Sequence, residues 1–117
     1  MNRNKIRVGV IGVGYLGKFH LEKYKMNKSV NLTSIADINN DNLDSIKYSK
    51  LYKTNNYEEI VDMVDAVSIV TPTITHYEIA KFFLKNKINV LLEKPMTETV
   101  NQARLLNNLA RKNKCIL

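Results

Sequence analysis

The sequence predicts an α/β domain built on a doubly wound, mostly parallel sheet. Three observations carry that expectation. Strand-like and helix-like segments alternate from one end of the chain to the other, which implies parallel strands joined by helical crossovers. Two strand-like runs, Ile6–Ile11 and Ala66–Val70, are almost continuously apolar and β-branched, as strands buried on both faces are. Glycine is concentrated: all 4 glycines lie between positions 9 and 17, at the joint between a strand and a helix.

The elements follow in order. Ile6–Ile11 is the first strand, and Tyr15–Lys25 has helical spacing, with Leu16, Phe19 and Tyr24 expected on its inner face. Val30–Ala36 is the second strand. Asn40–Lys47 reads as a short helix capped by Asn40, with Leu43 and Ile46 facing in, and Leu51–Lys53 is a weak third strand. Asn56 with Glu59 marks a helix start, with Ile60 and Val64 behind it. Ala66–Val70 is the fourth strand. Thr75-His76-Tyr77-Glu78 fits a capping box, and the helix beyond it is expected to bury Ile79, Ala80, Phe83 and Leu84. Asn89–Leu92 is the fifth strand. Thr99 with Gln102 opens a last helix carrying Ala103, Leu106, Leu109 and Ala110 inward. Cys115–Leu117 begins a sixth strand. Right-handed crossovers then give the order 3-2-1-4-5-6, with a truncated last strand.

Composition narrows the class. The chain has 117 residues, enough for one domain with a core, and is 44% hydrophobic and 25% charged. One cysteine, Cys115, excludes a disulfide scaffold and is read as a buried strand residue; a cytoplasmic location is expected. The basic stretch Asn2–Arg7 followed by apolar Val8–Leu16 imitates a secretory signal. The glycines within it and the charges of Lys18, Glu22, Lys23 and Lys25 fit a strand and an amphipathic helix better. No apolar stretch approaches the roughly 18 residues a membrane span needs. The net charge of +7 is scattered along the chain rather than gathered with aromatics, so neither nucleic acid nor membrane is an expected partner. No residue is assigned to a metal.

The first strand runs into Gly12-Val13-Gly14-Tyr15-Leu16-Gly17, a match to G-x-G-x-x-G. Gly12 permits the tight turn, Gly14 lets a diphosphate approach the backbone, and Gly17 lets helix and strand pack closely. The amides around Tyr15 and Leu16 would face the phosphates at the positive end of the helix dipole. Asp37 ends the second strand about 20 residues beyond Gly17, where a carboxylate accepts hydrogen bonds from a ribose and repels a 2′-phosphate. The expected cofactor is therefore NAD. A bare glycine turn, and an Asp that only starts a turn into Ile38-Asn39-Asn40, are the plainer readings. Two further segments follow the fourth and fifth strands: Thr71-Pro72-Thr73-Ile74-Thr75-His76 and Glu93-Lys94-Pro95. Ligands bind beyond such strand ends. A lysine there can bond a ribose or substrate hydroxyl, or assist proton transfer. His20, on the first helix, is read as packed against the sheet.

Taken in order, Gly12-x-Gly14-x-x-Gly17, Asp37, Thr71-Pro72 with His76, and Glu93-Lys94-Pro95 resemble the Gfo/Idh/MocA family. That family is named for glucose–fructose oxidoreductase, inositol dehydrogenase and a rhizopine-catabolism protein. The resemblance covers essentially the whole chain and implies the NAD-binding Rossmann domain of an oxidoreductase. Such an enzyme moves hydride between nicotinamide and a sugar, cyclitol or related polyol. It further implies that Lys94 is catalytic and contacts the nicotinamide ribose and substrate. Glu93 and Pro95 would shape its loop, and Thr71, Pro72 and His76 would line the cofactor cleft. His76 as a plain helix-start residue is the alternative.

The family pattern continues into a second α/β domain on an antiparallel sheet, with most of the substrate pocket. Residues 1–117 are expected to be the dinucleotide-binding domain without it. The expected partners are a sugar-like small molecule and either another copy of the chain or a separately encoded C-terminal domain. On this expectation the chain alone binds NAD weakly, turns over no sugar and tends to self-associate through uncovered apolar surface. The rival readings are a non-catalytic nucleotide-sensing Rossmann module and a non-functional gene fragment.

Overall fold

A computed structural model describes residues 5–117; the first half of the basic stretch Asn2–Arg7 lies outside the described residues. Five strands form one parallel sheet: β1 (Ile6–Ile11), β2 (Val30–Ala36), β3 (Tyr52–Thr54), β4 (Ala66–Ile69) and β5 (Asn89–Leu92), in the order β3-β2-β1-β4-β5. Four α-helices connect or flank them: α1 (Tyr15–Met26), α2 (Asn40–Asp44), α3 (His76–Lys85) and α4 (Val100–Lys112). β1 is central, with Val8 beside Leu32 of β2 and Ala66 of β4. The order in which strands are added switches from one side of β1 to the other, so the cleft beyond its carboxyl end is the natural ligand position in this architecture.

The two faces of the sheet carry separate cores, because neighbouring strand residues point opposite ways. Val10, Ile35 and Leu21 gather with Leu43 and Ile46 on one side. Ile11, Ala36, Val67 and Ile69 pack on the other against Ile79, Phe83, Leu84 and Leu106. Covering both faces is why β1 and β4 are mostly apolar, with Arg7 at the start of β1 and the buried Ser68 of β4 as the polar exceptions.

Several local expectations need correction. Leu16 and Phe19 are half exposed, whereas Gly17 and Leu21 are the buried residues of α1. Glycine, not a large apolar side chain, makes the contact at the helix start. α2 is capped by Asn39 rather than Asn40: the Asn39 side-chain oxygen accepts from the amides of Asp41 (2.8 Å) and Asn42 (3.3 Å). The third strand is shifted by one residue. Asn56 does cap the next turn, accepting from the Glu58 amide at 3.0 Å. The turn is a 3-10 helix over Tyr57–Met63, however, and Glu59 accepts from Thr54 and Tyr52 instead of returning to Asn56. Thr75 caps nothing through its side chain, since its hydroxyl donates to the Pro72 carbonyl at 2.6 Å. Thr99 accepts from the Gln102 amide at 3.1 Å, so that cap is made.

The expected sixth strand is not formed within the described residues. Cys115–Leu117 has no strand conformation, and Cys115 is only half-buried. The segment does lie along β5, where Val90 N donates to the Ile116 carbonyl at 2.9 Å and Ile116 N to Asn89 Oδ1 at 2.8 Å. Among the described residues, no helix is long and apolar enough to cross a membrane.

Candidate functional site

The carboxyl ends of the strands are stitched together where the site lies. Gly12 N donates to the Ala36 carbonyl (2.7 Å), Val70 N to Ile11 (2.7 Å), Asp37 N to Thr54 (3.1 Å) and Glu93 N to Ile69 (3.0 Å). These bonds hold the loops after β1, β2, β4 and β5 along one rim.

Two of the three motif glycines are required by their surroundings. Gly12 has φ +91°, a left-handed conformation, and a Cβ there would lie 2.5 Å from the Val70 carbonyl oxygen. A Cβ on Gly17 would overlap the Gly12 carbonyl oxygen, so this glycine presses α1 onto the end of β1. Gly14 is different. It caps α1, and the only neighbour of a Cβ there is Asn42 Nδ2 at 3.9 Å. The space in front of Gly14 is open toward the cleft. The first-turn amides of α1 have no partner within the helix. Tyr15 and Leu16 are exposed there, so an anion can approach that end of the dipole.

Asp37 sits beside this loop, at the end of β2. Its Oδ2 accepts from Val13 N (2.9 Å) and Asn42 Nδ2 (3.1 Å), and its Oδ1 accepts from Asn39 N (2.8 Å). The bond from Val13 ties the carboxylate directly to the glycine loop. A carboxylate offers about four acceptor positions, so capacity remains for a hydroxyl donor. The half-buried side chain is thus aimed by three donors before any ligand arrives.

Between these groups lies a cleft of about 690 Å³. Gly12, Gly14, Asp37, Thr71 and Pro72 line it; Tyr15, Leu16, Gly17, His76, Glu93, Lys94 and Pro95 do not. Sequence reading missed Ile38, Asn42, Asn55, Ile74 and Glu78, which also line it. Ile38 and Ile74 are 92% and 68% exposed, apolar side chains left bare at the mouth of the cleft. Their signal was available, since they stand two and five residues beyond the ends of β2 and β4, on the same rim.

The loops after β4 and β5 are clasped by His76, which is 1% exposed. Its Nε2 lies 2.8 Å from the Thr71 carbonyl, and its Nδ1 lies 3.0 Å from that of Pro95 and 3.1 Å from that of Met96. This ring therefore stands behind the rim and joins the two loops. Thr71 Oγ1 donates to Thr75 Oγ1 at 2.6 Å, which stiffens the first loop further. In the second loop, Glu93 Oε1 accepts from Lys94 N at 3.0 Å, and Oε2 lies 3.1 Å from His20 Nε2. The Lys94 amide, then the His20 side chain, hold the Glu93 carboxyl below its ordinary value. The Lys94 side chain is exposed, and the peptide joining it to Pro95 is cis.

The open cradle at Gly14, the first-turn amides and the aimed carboxylate of Asp37 fit a dinucleotide: a site for diphosphate and a site for ribose, joined by an apolar-walled cleft. Comparison with known proteins agrees. The chain is 34% identical over 113 residues to UDP-N-acetylglucosamine 3-dehydrogenase of Acidithiobacillus ferrooxidans, covering 96% of this chain and 36% of that protein. It is 38% identical over 97 residues to myo-inositol 2-dehydrogenase of Thermotoga maritima, covering 79% and 29%. The solved structure of the A. ferrooxidans enzyme superposes with a TM-score of 0.89 at 33% identity, over 97% of this chain and 36% of that one. The chain thus spans about a third of the length of these relatives. The family model for the Gfo/Idh/MocA oxidoreductases, described by its NAD-binding Rossmann fold, matches residues 6–117, and the chain belongs to that family.

Proposed function

We propose that this domain is the cofactor-binding half of an NAD-dependent dehydrogenase acting on a ring hydroxyl of a sugar, cyclitol or related polyol. The observation that carries the reading is the open face of Gly14 beside the Asp37 carboxylate. Bound there, the cofactor supplies a hydride acceptor or donor. The amides of Tyr15 and Leu16 would hold the diphosphate, and Asp37 the adenosine ribose. Ile38 and Ile74 would wall the adenine. The nicotinamide half then falls on the β4–β5 side, because a dinucleotide lies across the switch point. Thr71 and Pro72 border that side, with Glu93 and Pro95 shaping the loop that carries Lys94. Its ammonium can donate to a ribose or substrate hydroxyl, or exchange a proton with the latter.

The substrate class rests on what the relatives are named for: a nucleotide sugar and a cyclitol. A separate substrate-holding domain, on the same polypeptide or another, supplies the rest of the pocket; the relatives' roughly threefold greater length supports this. The lone cysteine supports a cytoplasmic setting.

Calorimetric titration of the 117-residue chain with NADH and NADPH tests the cofactor reading. NADH is expected to bind at least about tenfold more tightly, since the 2′-phosphate meets Asp37. Asp37→Ser is expected to narrow that ratio. No binding of NADH, or tighter binding of NADPH, overturns the proposal. For the chemistry, Lys94→Ala in a polypeptide reunited with a substrate domain is expected to abolish NADH production from cyclitols and hexoses. Unchanged turnover would point to a different catalytic group.

A further inference from the structure

We propose that His20 is a positioning residue for Lys94, acting through Glu93. The inference rests on the cofactor reading above. Four side chains form a continuous hydrogen-bonded line from α1 through β4 to the loop after β5. Tyr24 Oη lies 2.6 Å from Ser68 Oγ, Ser68 Oγ lies 3.1 Å from His20 Nδ1, and His20 Nε2 lies 3.1 Å from Glu93 Oε2. The other oxygen of Glu93 accepts the Lys94 amide at 3.0 Å. Ser68 is fully buried within β4, so one end of the line is anchored in the sheet.

The donors and acceptors run one way. A carboxylate only accepts, so Nε2 carries the proton toward Glu93. Nδ1 then accepts from the Ser68 hydroxyl, which in turn accepts from Tyr24. With the imidazole neutral, that tautomer pairs each member of the line with its neighbour.

The location matters for Lys94. Glu93 N makes the last rung of β5, to the Ile69 carbonyl. Beyond it the backbone leaves the sheet, and the Lys94 amide is held by the Glu93 carboxylate instead. The direction in which Lys94 departs therefore depends on where that carboxylate is held, and His20 holds it from the side.

The test compares two ligands. NADH spans the whole cleft, whereas ADP occupies only the diphosphate and adenosine end, away from Lys94. His20→Ala is expected to weaken NADH binding about three- to tenfold, the worth of one charge-assisted hydrogen bond, while ADP affinity stays unchanged. Lys94→Ala is expected to show the same selectivity, and the double variant to bind NADH no more weakly than Lys94→Ala alone. His20→Gln keeps a donor toward Glu93 and is expected to restore NADH affinity. Glu93→Gln, on the loop itself, serves where a His20 variant does not fold, and is expected to weaken NADH selectively. Parallel loss of NADH and ADP binding, loss of neither, or independent addition of the His20 and Lys94 effects overturns the inference. An unmodified chain that binds neither ligand overturns the cofactor reading, and the inference with it.

Discussion

Gly14→Ala separates the fold from the binding site. A Cβ at Gly14 meets only Asn42 Nδ2, at 3.9 Å, which is ordinary contact. The backbone there is extended, at φ −73° and ψ −150°, within reach of alanine. Losing glycine at a helix N-cap costs a few tenths to about 1 kcal/mol, and the stiffer unfolded chain returns about 0.4–1 kcal/mol. Stability is therefore expected to change by less than about 1 kcal/mol. Binding is another matter, because the methyl fills the space through which a diphosphate reaches the first-turn amides. Loss of one to two charge-assisted hydrogen bonds amounts to about 2–4 kcal/mol, or about 30- to 1,000-fold in NADH affinity. Gly17→Ala is the counterpart: its Cβ would overlap the Gly12 carbonyl, driving α1 off β1 at a cost of about 3 kcal/mol or more. Urea unfolding followed by circular dichroism gives the stabilities, and NADH fluorescence titration gives the affinities. A Gly14→Ala protein that folds normally and binds NADH like the original refutes the assignment of Gly14 as the diphosphate cradle.

Two further predictions concern the frame at the two ends of the sheet. His76→Leu leaves the Thr71, Pro95 and Met96 carbonyls without their shared partner and is expected to cost about 1–3 kcal/mol in urea unfolding. The Asp65 carboxyl is held below its ordinary value, first by the side-chain bond from Arg7 and then by the Arg7 amide. Its contribution to stability is thus fully present above the unfolded-state value and lost as pH falls through the lower folded one. Both side chains are nearly half exposed, at 46% and 45%, so solvent screening limits the pair to about 1 kcal/mol. The stability gap between the original chain and Asp65→Asn is expected to close as pH drops below about 4; a gap constant down to acid pH refutes the assignment.

The strand pattern was readable because most of β1 and β4 is buried on both faces and rich in valine and isoleucine. The candidate site was legible where it is local: Gly12 and Gly14, which line the cleft, stand within one turn, and Asp37 directly follows the next strand. What escaped depends on distance. His20 meets partners 48 and 73 residues away, and His76 meets carbonyls 19 and 20 residues on. Spacing along the chain gives no hint of either. The face of α1 was misread for a different reason. Periodicity counts large apolar residues, whereas here the closest approach is made by Gly17, leaving Leu16 and Phe19 outward. Glu59 likewise had two routes open, and its carboxylate accepts from Thr54 and Tyr52, partners outside its own helical turn.

The central place of β1 also has a consequence for synthesis. Its partner β2 follows closely, and β1, α1 and β2 already contain the glycine loop, Asp37 and the Val13 bond between them. The partner on its other edge lies far downstream: Arg7 and Asp65 are 58 residues apart. At ~5–20 residues per second a ribosome needs roughly 3–12 s to make that stretch. For much of that interval the far edge of β1 has no strand beside it, and the residues after β4 that complete the cleft, Thr71 to Glu78 among them, are not yet made.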